Sequence, residues 1–456
     1  MKRNKILIIA LLLITFSFAQ KKEKVEITGR TLIGKEIDGQ RIKEVVDEVI
    51  IKHGKTKITC NKAIQFIDTN EIELFGNVVV VKDSVIIFTE RGFYRGNDEV
   101  AYSNNSLVLD DGKVILTAKK GFYFLNEERA EFYNDVSMFD SESKLFAQKL
   151  IYWKETEKAV ATGEVKLSDT SSVVFSDSLI TNKKTNDTFA YQNVRVVNKD
   201  NELNVYGSYL EHKSKDKYSK VLGKPLLVQV DTSSSGVIDT LMIKSVTMEM
   251  FGDSLSNKLI ATDSVEIIRG DFLAKNNRTI YYKGEERLYT EKSDLELAPQ
   301  PIMWFTENQL SGDTINVYLK NNNIDFVDVR QEAFILSTFP EFDFRFNQIS
   351  GDSVKIFFKD SNIDVTDVKG NVLSIYYLFD EEEENGLIKS SSEDAKLIFK
   401  DNSIDEVKFY VSVENEFHPE AVIENNEKDF TLPRFFVAKQ KPVKKEFLKR
   451  IKNNLK

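Results

Sequence analysis

The sequence predicts an all-β fold, an elongated, solenoid-like repeat of short antiparallel strands. Three observations predict it. Proline is scarce, 7 in 456 residues, while Val, Ile, Phe, Tyr and Thr abound, a composition suited to a pleated, half-buried surface. An echo joins Gly76-Asn77-Val78-Val79-Val80, Asn134-Asp135-Val136-Ser137-Met138, Gly163-Glu164-Val165-Lys166-Leu167 and Gln192-Asn193-Val194-Arg195-Val196. Val136 to Val165 is 29 residues, and Val165 to Val194 is 29 again. A fixed period of this size marks a repeat whose units complete their core by stacking on their neighbours. Finally, apolar residues alternate in phase: Val194 and Val196 flank Arg195, Val265 and Ile267 flank Glu266, and Leu295 and Leu297 flank Glu296. That period of two gives a sheet with one aliphatic face.

The first segment, residues 1–19, reads as an address. Lys2, Arg3 and Lys5 precede an apolar run, Ile6 to Phe18, too short to span a bilayer comfortably, and Ser17-Phe18-Ala19 is a small-x-small cleavage site. The expectation is a signal peptide cut after Ala19, with an uncleaved anchor as the alternative. No lipobox cysteine follows, and no later stretch approaches about 18 consecutive apolar residues.

Residues 20–230 form the regular array. Glu48-Val49-Ile50-Ile51-Lys52 lies 29 residues before the Val78 segment and opens it. Each unit reads as three short strands. In the unit from Glu164 to Asn193, one strand holds Val165 and Leu167, a second runs from Val173 to Thr181, and Thr188-Phe189-Ala190-Tyr191 leads back to Val194. The turn clusters are Asp169-Thr170-Ser171-Ser172 and Asn182 to Asp187. A second echo places a small residue after an apolar pair: Ala118, Ala147, Ser176, Gly207, Ala274, Gly312 and Gly351. A small side chain at a fixed place lets the backbone turn or approach its neighbour closely.

Residues 231–417 continue the array with longer units. Asp231 to Gly236 reads as an inserted loop, and Gly312 to Gly351 spans 39 residues. Asp380 to Glu384 reads as a solvated loop. Residues 418–456 are a basic tail with a short amphipathic helix around Phe447, Leu448 and Ile451, which is not expected to pack on the array.

Composition narrows function. Without Lys2, Arg3 and Lys5, 60 basic side chains meet 72 acidic ones, which disfavours a nucleic-acid partner. Cys60 is the only cysteine, so no intrachain disulfide forms, and its strand-like setting predicts a buried structural thiol. His53, His212 and His418 lie far apart without metal-ligand or triad spacing. The Gly-Asp pairs at Gly252, Gly270, Gly312 and Gly351 lack the spacing of calcium-binding rolls. The reading is a non-enzyme with no catalytic residue, metal or cofactor. A carbohydrate-cleaving β-helix with distant paired carboxylates stays open as an alternative.

What remains is the aliphatic face. A closed solenoid fills it with its own side chains, whereas a partly folded sheet leaves it open to an apolar ligand. Here the residues resemble the LptA/OstA-like family, named for the organic solvent tolerance protein N-terminal domain. The closest segments are Asp47 to Lys52 through Gly76-Asn77-Val78, and Leu145-Phe146-Ala147 through Gly163-Glu164-Val165. The stretch Val368 to Tyr377, followed by Ile398 to Ile404, is similar to long OstA-like proteins of Bacteroidetes-type bacteria.

The resemblance implies a β-jellyroll or folded-sheet trough (β-taco) in the periplasm, shielding lipopolysaccharide acyl chains during transport and outer-membrane assembly. It implies partners too: lipopolysaccharide, other β-jellyroll components stacked by edge strands, and an outer-membrane translocon. Too little chain follows the repeat for a translocon barrel. The expected lining is Val78, Val80, Val136, Met138, Val165, Leu167, Val194 and Val196. The competing reading is a structural or adhesive solenoid with a dry core.

Overall fold

The structure, a computed structural model, describes residues 24–199, 203–232, 238–252, 257–292, 299–320, 323–339, 341–342, 344–360, 362–380, 383–400 and 403–454. The proposed signal peptide lies outside them. Among them no helix is long and apolar enough to cross a membrane. The described chain is all-β, and its strands pair antiparallel, mostly with their neighbours in sequence. It divides into two compact units: residues up to 112 with 120–126, and residues 113–119 with 127 onward.

The first echo is a hinge. Gly163 and Glu164 both have positive φ, 81° and 50°, and the ladder with the strand Ser172–Asn182 shifts between Thr162 and Val165. One extra residue on the hinged strand bends it, as in a β-bulge. The same paired left-handed residues occur at Asp47-Glu48, Gly76-Asn77, Asn134-Asp135, Gln192-Asn193, Asp263-Ser264, Gln331-Glu332 and Gly370-Asn371. Gly, Asn and Asp enter this region most readily, which explains their recurrence in the echo. The residue after each hinge is Val49, Val78, Val136, Val165, Val194, Val265, Ala333 or Val372, and each is at most 1% exposed.

The second echo is the inner corner of the same bend. On the unhinged strand Ser172–Asn182, Val174 and Ser176 are buried, then Leu179 and Thr181. Asp177 and Ser178 both stay outside the core, so the inward face changes parity there. Ala147 with Leu150, Cys60 with Ala63, and Gly351 with Val354 repeat the pattern. The corner is crowded: a Cβ on Gly351 would stand 2.7 Å from Val368 Cγ1. Ala147, Ser176, Gly207, Gly312 and Gly351 hold this place. Ala274 does not; the residue opposite Val265 is Asn276, two positions on.

The three-strand unit is therefore corrected to two longer strands. Thr188–Tyr191 and Val194–Val196 belong to one hinged strand, Asp187–Asn198, and its neighbour is the corner strand Ser172–Asn182. The polar hinge dipeptide only interrupts the alternation. Strands lengthen toward the C-terminus, to Asn362–Asp380 and Glu383–Lys400, and Asp380 and Glu384 fall on these two paired strands.

The tail also differs from expectation. It packs on the outer face of the second unit. Ile423 and Leu432 join Phe334, Leu336, Ile375, Tyr377 and Leu387 in one buried cluster. Arg345, also buried, pairs with Glu420 and Glu427 there. Farther on, Gln309 receives the tail: its Nε2 donates to Phe436 O at 3.0 Å, and Ala438 N donates to its Oε1 at 2.9 Å. The helix Lys444–Asn454 then seats Phe447 among Tyr206, Leu226, Met242 and Ile268. Phe447 and Ile451 lie four apart on one helix face, and that face meets an apolar patch the sheet leaves on its outside.

Candidate functional site

The interior between the two arms of each hinged strand is the candidate site. In the first unit Leu74 comes before the hinge and Val78 and Val80 after it, and all three face one void of about 10 Å³. In the second unit Ile267, Asn276, Leu288 and Val317 surround another of about 10 Å³. A space of this size is at the limit for a single water. Asn276 sits here with its Nδ2 lacking a partner among the described residues, while its Oδ1 accepts from Thr279 Oγ1 at 2.9 Å.

The expected lining residues are all on strands of this interior. Val78, Val80, Val136, Met138, Val165 and Val194 are between 0 and 4% exposed. Leu167 and Val196 are half-buried. None of the eight lines the larger cavity of the second unit.

That cavity, about 520 Å³, lies between the arms of the last strands. Its size is in the range of small-molecule sites. One wall is apolar: Leu397, Phe399, Ile404, Val407 and Phe409. The other is a ladder row running Ile335, Ile349, Ser374, Ser390 and Asn415 across five paired strands. The row changes from branched aliphatic to hydroxyl to amide toward the final strand. Ser374 follows its hinge at the place Val80, Met138, Leu167 and Val196 occupy in earlier units. A hydroxymethyl replaces a full aliphatic side chain, and the space it leaves helps open the cavity. The sequence carries that signal, a serine at an inward aliphatic position two residues after Val372.

Among the described residues, Cys60 and the three histidines each have their own separate partners. Cys60 is buried, which pushes its thiol up to about 11, and its Sγ donates to Lys62 O at 3.2 Å. His53 is buried against Tyr94, with Nδ1 2.5 Å from the phenol oxygen. His212 contacts Ser219 Oγ at 2.9 Å, and burial holds its pKa below the ordinary value. His418 packs edge-on to Phe430. Among the described residues no group of three or more His, Cys, Asp or Glu could hold a metal ion.

Comparison with known proteins bears on this interior. Residues 22–170 match the family model described as OstA-like protein. That segment is similar to OstA-like proteins. The match spans the hinges at Asp47, Gly76, Asn134 and Gly163. Among solved structures, the chain is similar to that of LptH from Pseudomonas aeruginosa, described as the LptA homologous periplasmic component of the conserved lipopolysaccharide transport device. The identity is 11%, the TM-score 0.17, and the match covers 32% of this chain and 94% of that one. No curated protein matches the chain. The hinge geometry continues beyond the OstA-like segment, at Gln192, Asp263, Gln331 and Gly370.

Proposed function

We propose that this protein is a periplasmic lipid carrier of lipopolysaccharide transport and outer-membrane assembly, holding acyl chains between the arms of its hinged strands. The observation that carries this reading is the cavity of about 520 Å³ with its wall of Leu397, Phe399, Ile404, Val407 and Phe409. The OstA-like match over residues 22–170 supports it, because the same hinge recurs on the strands that wall the cavity. Each acyl methylene moved from water into this space contributes about 0.8 kcal/mol. The ladder row of Ser374, Ser390 and Asn415 offers hydrogen-bond partners to the ester or amide end of such a chain. In this reading the protein is no enzyme; it works by shielding. Passage along Val78, Val80, Val136, Met138, Val165, Leu167, Val194 and Val196 requires the arms to part. Handover to other jellyroll components and an outer-membrane translocon belongs to the same proposal.

A second reading has one observation in its favour. Voids of about 10 Å³ describe a packed interior, as a structural solenoid would have. Two measurements separate the readings. Protein purified from envelopes is extracted with organic solvent and analysed by mass spectrometry for lipid. A photocrosslinking residue is placed at Ile388, which faces the cavity, and at exposed Lys389 beside it. Lipid recovered and captured only at position 388 supports the carrier; no lipid, or equal labelling, supports the solenoid.

A further inference from the structure

We propose that the tail from Val437 to Lys449 is a docking strip for an anionic lipid surface. The charge distribution is the first argument. The whole chain carries a formal net charge of −9, yet residues 434–456 hold nine Lys or Arg against Glu446 alone. Such a concentration of one sign on an oppositely charged protein orients the molecule in a field.

The packing fixes where those charges go. The Gln309 bracket on Phe436 and Ala438 and the buried Phe447 hold both ends of the strip against the sheet. Because Phe447 and Ile451 face the sheet, Lys445 and Lys449, four residues apart, lie on the opposite side of the helix. Lys439, Lys441, Lys444, Lys445 and Lys449 are exposed, and no ion pair joins them to a carboxylate among the described residues. Arg434 differs, since it meets Glu332 at 3.3 Å.

The third argument is the apolar residues set between these lysines. Val437, Val443 and Leu448 are 39, 50 and 45% exposed. An aqueous basic ligand site has no use for them. A lipid surface uses both kinds: ammonium groups sit at the anionic headgroups, and short aliphatic side chains enter the acyl boundary. The sheet behind gives the strip a fixed geometry, so little ordering entropy is lost on docking.

This inference stands on the tail and does not depend on cargo in the cavity. The experiment is sedimentation of the full mature chain with vesicles of phosphatidylcholine alone, or of phosphatidylcholine with phosphatidylglycerol, neither containing lipopolysaccharide. The expected result is binding to the phosphatidylglycerol vesicles that weakens as salt is raised. The triple variant Lys444→Gln, Lys445→Gln, Lys449→Gln binds on the order of a hundredfold more weakly. Leu448→Asp also weakens binding, and both variants unfold at the wild-type temperature because the changed side chains are exposed. Ser390→Phe, in the cavity, binds vesicles as wild type does. Equal binding to neutral vesicles, salt-insensitive binding, or full binding by the folded triple variant would overturn the proposal.

Discussion

The Leu432 N–H donates to Gln348 Oε1 at 2.9 Å, joining residues 84 apart in sequence. The same amide donates from Nε2 to Phe430 O at 3.2 Å. One side chain thus serves the tail as a strand edge would, taking one N–H and satisfying one carbonyl. Gln348 and Leu432 are only 3% exposed, so no water replaces these bonds cheaply. Gln348→Ala is expected to cost about 1–3 kcal/mol, because it leaves buried backbone groups unpaired. Denaturant unfolding measures the loss, and faster proteolysis near residue 430 shows that the tail lifts first. Unchanged stability and unchanged cleavage would mean that the bracket holds nothing.

The hinges make opposite predictions at two positions. Gly163 has φ 81°, and a Cβ there would stand 2.9 Å from Gln148 Cβ. Gly163→Val is expected to destabilise the second unit by about 1–3 kcal/mol. Gln192 holds φ 61° despite its side chain. Gln192→Gly relieves that strain while adding unfolded-chain entropy, so it should fall within about 1 kcal/mol of wild type, on the stable side. Chemical denaturation of the two variants decides, and equal losses would show that backbone conformation is not what selects these residues.

Filling the cavity tests the carrier directly. Ser374 and Ser390 face each other across their strands and both line the space. Ser374→Phe is expected to lower the lipid recovered by extraction several-fold while leaving the unfolding temperature near wild type. Val194→Phe enters packed core and should lower the unfolding temperature instead, by overpacking that costs about 1–3 kcal/mol. Undiminished lipid in Ser374→Phe would place the cargo elsewhere.

Acid sensitivity of the first unit has a named source. Glu44 is held by Lys35 and Lys62, each at 2.5 Å, and their hydrogen bonds push its carboxyl down to about 2. The folded value lies below the unfolded one of 4.5, so unfolding takes up a proton at Glu44 within that window. Its contribution is complete above pH 4.5 and is lost as pH falls toward 2. Glu44→Gln should flatten the acid dependence of hydrogen exchange across the strand Gln40–His53, and an unchanged slope would refute the assignment.

Much of this architecture was legible in the sequence, but its meaning lay in three dimensions. The period came through because Val78, Val136, Val165 and Val194 each follow a hinge and each must be buried. The residues before them looked like strand ends because alternation stops there. A hinge and a true turn are both polar, so periodicity alone separates Gln192-Asn193 from Asn182 to Asp187 poorly. The tail was misjudged for a different reason. Phe447 reads as weakly amphipathic by itself, and its receptor, Tyr206, Leu226, Met242 and Ile268, is scattered over outward positions of four strands. The cavity was missed in part because Ser374 departs from the aliphatic pattern of Val80, Met138, Leu167 and Val196.

The hinge has one more consequence. Successive hinges stand 29 residues apart from Asn134 to Gln192, but 39 apart from Gln331 to Gly370. Each arm pair there has gained about five residues per strand, roughly 17 Å of added wall at strand rise. Calibre in this unit is therefore set by a residue count between fixed pivots, and the lumen widens where the count grows. Copying or trimming paired residues in those arms would retune the bore for longer or shorter cargo while leaving every pivot where it is.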